Sequence, residues 1–235
     1  MLNHDGQYFE LSFKQFLFYF ILSLTLDALG NGLSVSTDLG SAPWTAGAAN
    51  LANLTGLPIT LFLALTTVLV AIANMFFAHK LDWRRFFGNI LFGLLFSFLA
   101  GFFTGFFNLF HLVAYPLWAK IILDMIGLTT IGIGISIYQR VNVILHPIDD
   151  LTNILRFSYF HGSAPKAQMS NFVVGIMISL VCWLLSGTVV ALNIGTAFAF
   201  FCQGPIIAWS DRHIFPMLVH GNLDKSHKDI PQQPH

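Results

Sequence analysis

ALGNGLSV, residues Ala28–Val35, returns in the second half of the chain as TIGIGISI, residues Thr130–Ile137. Both copies run small or polar, aliphatic, Gly, any residue, Gly, aliphatic, Ser, β-branched. Each copy leads into a loop that carries a proline, Pro43 after the first and Pro147 after the second. A chain that repeats itself in this way is two copies of one unit. The number of membrane crossings in that unit then decides the fold.

That the unit crosses a membrane follows from composition. Of 235 residues, 55% are hydrophobic and only 9% charged, too few to cover a water-facing surface. A formal net charge of zero leaves no basic surplus to recruit nucleic acid, and none is expected as a partner. Cys182 and Cys202 lie inside apolar runs and read as small packed hydrophobes. Zinc spacing, a P-loop and a Rossmann glycine pattern are all missing, so no metal or cofactor is expected. Asp5, Glu10 and one Lys14 make a poor signal-peptide start, and the first apolar stretch is read as a retained span.

A hydrocarbon core of about 30 Å needs about 20 helical residues. Six stretches are assigned as spans: roughly 15–36, 58–78, 86–110, 113–138, 171–190 and 194–209. Thr55 and Ser170 are the expected caps of the second and fifth, with Pro58 in the first turn of the second. With the N-terminus in the cytoplasm, ten of the eleven basic residues fall inside, Lys120 being the exception. The outer loops hold no Lys or Arg, which is the positive-inside asymmetry. The expected organisation is a cytoplasmic segment 1–14, a transmembrane domain 15–210 and a cytoplasmic tail 211–235, with both ends poorly ordered. Repeat one covers about 15–110 and repeat two about 113–210.

Three spans per unit is an odd number, so the second copy must enter the membrane upside down. The expected fold is an all-α polytopic membrane protein of six helices in two inverted three-helix repeats. Each repeat carries a proline-containing loop and a short helix after its first span. A weaker match closes each unit: Gly195-Thr196 precedes Gly204-Pro205 by nine residues, as Arg84-Arg85 precedes Gly93-Leu94. Inverted repeats of this kind recur in secondary transporters, with the solute site where the copies meet.

Three further stretches, TDLGSAPW (Thr37–Trp44), HPIDD (His146–Asp150) and NIGTAFAFFCQGP (Asn193–Pro205), resemble the YczE/YyaS/YitT-type family of bacterial integral membrane proteins. The likeness runs from the first span to the sixth. It implies a permease-like protein of the bacterial plasma membrane and supplies no substrate. Where that family carries Gly-Pro-Arg-Asp, this chain has His146-Pro147-Ile148-Asp149, so a role resting on the arginine does not carry over.

Candidate residues follow from this architecture. Pro43 and Pro147 each open a short helix, with Ser41 as the expected cap of the first. Asp149 and Asp150 stand in the first turn of the second, where carboxylates meet the positive end of the helix dipole. Ile148, Leu151, Leu155 and Tyr159 share one face, as in a helix lying on the membrane surface or partly re-entering it. Asp27 lies inside the first span, where an acid costs about 2.5 to 3.5 kcal/mol on insertion scales and does not face lipid. Lys120 and Asp124 share a face of the fourth span and are read as an intramembrane ion pair. Gly30, Gly32, Gly132 and Gly134 serve close packing or local unwinding, and Gly204-Pro205 marks a hinge.

The reading is a secondary transporter or permease-like carrier of a small polar solute, coupled to a proton or cation. Asp27, Asn31, Thr45, Asn50, Asp149 and Asn153 are the candidates to line its path. The alternatives are a non-transporting accessory or regulatory protein and an intramembrane enzyme acting on a lipid or diphosphate through Asp149 and Asp150. No nucleophile–base constellation supports the enzyme, and a homo-oligomer stays open.

Overall fold

The computed structural model describes residues 2–4, 7–78 and 81–220. Eight α-helices carry the fold: α1 Phe13–Thr37, α2 Pro43–Thr55, α3 Ile59–Phe77, α4 Trp83–Asn108, α5 Leu117–Val141, α6 Pro147–Ser158, α7 Ala164–Ser186 and α8 Ile194–His213. A two-strand hairpin, β1 Leu2–His4 with β2 Gln7–Phe9, precedes them. Leu2 bridges to Leu218, and both are buried against Ile137 and Val141. Apolar burial thus joins the described start of the chain to the segment that follows α8. Residues 221–235 of the tail lie outside the described residues.

Local chemistry sets the helix boundaries. Ser12 and Gln15 form a capping box at the start of α1, and Asn193 and Thr196 form another at α8. Asp82 accepts from the Arg85 amide at 3.0 Å to start α4. Pro43 and Pro147 occupy the first turn of α2 and α6, where a missing N–H costs nothing. The caps expected at Ser41, Thr55 and Ser170 do not form. Ala42 and Pro58 stand at the N-cap positions of α2 and α3, and Ser170 sits inside α7. α7 begins at Ala164, well before Asn171, because Pro165 tolerates a first turn and Ala164, Ala167 and Gln168 are buried. Pro116 delays α5 to Leu117, behind a 3-10 turn at Leu112–Ala114.

Five helices, α1, α3, α4, α5 and α7, are long and apolar enough to cross a membrane. α8, expected as a sixth crossing, has 20 residues but is not among the five, since Gln203, Gly204, Pro205 and Asp211 lower its apolarity. The surface agrees with lipid as solvent. Phe76, Leu94, Phe98, Phe102, Leu184 and Leu185 face outward, while Asp27, Asn89, Asp124, Gln139, Asp150 and Gln168 are buried. That distribution is compatible with a multi-pass membrane protein.

α1 and α5 form the centre. Gly30 meets Gly127, Gly134 meets Asp27, and Ser34 donates to Asp124, so numbers rise along one helix as they fall along the other. The pair is antiparallel, and Pro43 and Pro147 follow opposite ends of it. α4 packs on α1, and α8 packs on α5. α2 packs on α7, and α6 packs on α3. Each short helix thus lies on a long helix from the other half of the chain. Leu24, Phe92, Leu128, Ile131, Tyr138 and Phe172 fill the space between.

Candidate functional site

The two short helices start beside each other. Trp44, in the first turn of α2, donates its indole N–H to Asn171 Oδ1 at 3.0 Å. The same Asn171 donates from Nδ2 to the Ile148 carbonyl at 3.0 Å and to Thr152 Oγ1 at 2.7 Å, both on α6. From this point the helices diverge. α2 follows the second half of α7, with Gly47 against Ile178 and Asn53 donating to Thr188 at 2.9 Å. α6 runs back to the turn that begins α7, where the Gly162 amide donates to the Arg156 carbonyl. The approach is close because Gly175 carries no side chain: a β-carbon there would collide with the Pro43 carbonyl and lie 2.7 Å from the Trp44 nitrogen. Two helix N-termini therefore converge on Asn171, each presenting the positive end of its dipole.

The first turn of α6 holds the densest polar chemistry. Tyr138 on α5 donates its hydroxyl to Asp149 Oδ2 at 2.7 Å, and the same hydroxyl oxygen lies 3.5 Å from Asp27 Oδ2 on α1. Asn31 donates to Asp27 Oδ1 at 3.0 Å. His146 Nδ1 stands 3.6 Å from Asp149 Oδ2. Burial, reinforced by the charge of Asp150, pushes the Asp149 carboxyl up to about 7. Burial alone brings His146 down to about 4, leaving its imidazole neutral at neutral pH.

Asp150, the next residue, is treated differently. Arg85 of α4 clamps it with two donors, Nε reaching Oδ2 at 2.9 Å and Nη2 bonding Oδ1. Asn89 adds a donor at 2.8 Å, and Asn74 of α3 donates to the Pro147 carbonyl at 2.9 Å. This carboxylate is a fixed anion that anchors α6 to α3 and α4. Neighbouring acids on one turn thus have opposite environments: one faces a cation, the other an uncharged hydroxyl.

The residues singled out from the sequence separate into groups. Asp27, Asn31 and Asp149 belong to the polar centre. Asn153 sits at its edge, with Nδ2 directed at the Gln139 carbonyl and Asn142 Oδ1, each 3.4 Å away. Asn50 lies elsewhere: it donates to the Val190 carbonyl at 2.7 Å and accepts from the Val190 amide at 3.0 Å, latching the loop before α8. Thr45 is half-buried and makes no side-chain hydrogen bond among the described residues. Asp124 accepts from Ser34 and abuts Gly195, and no ion pair joins it to Lys120 among the described residues. α1 stays helical through Gly30-Asn31-Gly32. Those two glycines, with Gly132, Gly134 and Gly204, admit α5, α4, α8, α1 and Pro165 respectively. α8 likewise continues through Pro205. α6 does not lie on the surface, since Asp149, Asp150, Thr152 and Asn153 are all buried.

On sequence alone Tyr138, Asn74, Asn89 and Asn171 have no site role, and His146 and Arg85 enter only as members of motifs. A usable signal existed for Asn74 and Asn89, each a lone amide in an apolar run, whereas Asn171 stands at the polar edge of one, after Gln168 and Ser170. For Tyr138 none existed, because a tyrosine near the end of a span is ordinary interface chemistry. Among the described residues no cluster of metal-binding type occurs, and Asp149 and Asp150 point to different partners.

The description "Family of unknown function (DUF6198)" matches residues 13–212, and the chain belongs to that family. The match takes in every helix from the start of α1 almost to the end of α8 and includes the whole polar centre. No curated protein and no solved structure matches the chain.

Proposed function

We propose that this member of the DUF6198 family is a six-span carrier of a small polar solute, built as two inverted three-span repeats and coupled to a proton or cation. The observation that carries the reading is the meeting of two proline-started helices at Asn171, each laid on a long helix of the opposite half. Exchange of this kind is expected when an odd-span unit is duplicated with inversion. The main pairings are symmetrical, α1 with α4 matching α5 with α8, and α2 on α7 matching α6 on α3. Broken helices whose ends face each other are where inverted-repeat carriers bind solute. α8 is the sixth span in this scheme, its polar residues facing α5 and α7. The likeness to YczE-type proteins belongs to the same reading, as does a bacterial plasma-membrane location with both termini in the cytoplasm.

In this mechanism the solute sits between the α2 and α6 N-termini, against first-turn amides and the Asn171 bridge. Protonation of the Asp27–Tyr138–Asp149 chain changes the charge beside it. Rocking of the two repeats about the α1–α5 contact alternates access.

Reconstituted protein should take up a polar solute into liposomes, faster with an imposed pH gradient. Asp149→Asn and Asp27→Asn should each abolish the gradient effect and slow uptake about a hundredfold or more, the scale of losing one essential proton-transfer group. Absence of flux across a broad solute panel, with a stoichiometric membrane partner co-purifying, would replace the carrier by an accessory or regulatory role.

A further inference from the structure

A cavity of about 500 Å³ opens at the Pro147 end of the bundle, apart from the Asn171 centre. Its polar lining comes from Arg140 of α5, Arg156 of α6, Asp211 and Arg212 of α8, Ser163 before α7 and His220. Three arginines face one aspartate, so positive charge is in excess even though burial holds the His220 imidazole below its ordinary value and favours its neutral form.

The four charged groups play different parts. Arg140 is almost fully buried and spent: it donates to the Ser136 carbonyl at 3.0 Å and to the Phe215 and Leu218 carbonyls at 2.9 and 3.1 Å. It is a clamp on the segment after α8. Asp211 is also occupied, accepting from Ser136 at 2.6 Å and pairing with Arg156 at 2.7 Å. Arg156 uses Nε on the Gly162 carbonyl and Nη1 on Asp211, and its Nη2 has no hydrogen bond among the described residues. Arg212 is exposed and has no partner among them either. His220 turns Nε2 to Asp211 at 3.3 Å, leaving a buried Nδ1 unpartnered. Finally, α7 begins at the cavity wall without a side-chain cap, so the positive end of its dipole faces the same space.

We propose that this cavity binds a phosphate group through Arg156, Arg212 and the α7 N-terminus. Planar guanidinium donors and uncapped helix amides are the chemistry that selects phosphate oxygens. The volume is of the size of small-molecule sites, with room for a substituent on the phosphate. Both a free phosphate compound and a phospholipid headgroup carry that chemistry, and the site stands independently of whether the chain transports anything.

The test uses the full-length protein in neutral detergent and in nanodiscs. Inorganic phosphate is titrated at constant ionic strength against chloride while thermal unfolding is followed. In parallel, nanodiscs of phosphatidylcholine with and without phosphatidylglycerol are analysed for retained lipid by native mass spectrometry. A saturable rise in unfolding temperature with phosphate, with an apparent affinity weakened about tenfold by Arg212→Ala and by Arg156→Gln, supports a free phosphate ligand. Retention of phosphatidylglycerol that the same two variants lose, without a phosphate effect, supports the headgroup. Arg84→Ala, which removes an exposed arginine outside the cavity, should change neither. Neither effect in the unmodified protein, or equal losses in Arg84→Ala, overturns the proposal. Arg212 is exposed, so its removal leaves folding intact and keeps the comparison interpretable.

Discussion

At the residue scale, the adjacent acids of α6 divide the work of the polar centre. Asp150 is held by Arg85, Asn89 and Asn74, an arrangement that fixes the helix in place. Asp149 faces the Tyr138 hydroxyl with no cation beside it, and its carboxyl is pushed up from 3.8 to about 7. Its native form therefore keeps a proton that the unfolded chain gives up near pH 4. The stability this confers is full below that pH and is lost as pH rises through 7. His146 works in the other sense, because its native imidazole stays neutral down to about pH 4 and penalises folding below 6.5. Thermal unfolding across pH 4 to 8 should show these trends opposing each other in the native protein. Asp149→Asn should remove the part of the fall that Asp149 contributes and make the slope between pH 4 and 6.5 more positive than in the native protein. A variant profile parallel to the native one would contradict the assignment.

At the element scale, helix contact depends on missing side chains. A β-carbon at Gly30 would lie 2.5 Å from the Gly127 carbonyl oxygen, backbone against backbone, with nowhere to move. Gly30→Ala should force α1 and α5 apart and cost about 1 to 3 kcal/mol or more, the usual price of overpacking. Gly101 and Gly105 look similar in the sequence, yet nothing lies within 4 Å of either. Gly101→Ala should be neutral or slightly stabilising in unfolding experiments, because Ala is the better helix former. The two substitutions are chemically identical, and only the packing separates them. The repeat motif itself could be read from the sequence, but its glycines turn out to be contact points in unbroken helices. Ladder hydrogen bonds persist through Gly30-Asn31-Gly32 because α5 and α4 fill the space that unwinding would need.

At the scale of the whole molecule, the antiparallel α1–α5 pair sends the Pro43 and Pro147 loops to opposite ends, and each short helix returns inward from its own end. In the six-span scheme, positions 57 and 109 face one side of the membrane, and 81 and 161 the other. Leu57, Leu109, Leu81 and His161 are all exposed and suited to labelling. Single cysteines there, in a background with Cys182 and Cys202 replaced by Ser, should react with an impermeant maleimide from opposite sides in those two pairs. Labelling of all four from one side, or a split of either pair, would remove the inverted arrangement and with it the alternating-access mechanism.

How far the primary structure reaches is set by the range of the physics involved. Apolar runs, proline at first helical turns and a twice-used glycine motif are local signals, and they were enough to determine a helical, lipid-compatible chain with short helices after the first and fourth long ones. Asp27 could be picked out because an acid among apolar residues is costly wherever it stands, and Asp149 because it follows Pro147 in the first turn of a helix. Their meeting through Tyr138, the clamp of Arg85 on Asp150 and the convergence of Trp44 and Ile148 on Asn171 join residues far apart in the chain. Those contacts depend on how helices cross, which no local pattern encodes. The tertiary structure alone decided which polar residues share one interior and which, like Asn50 and Asp124, do their bonding elsewhere.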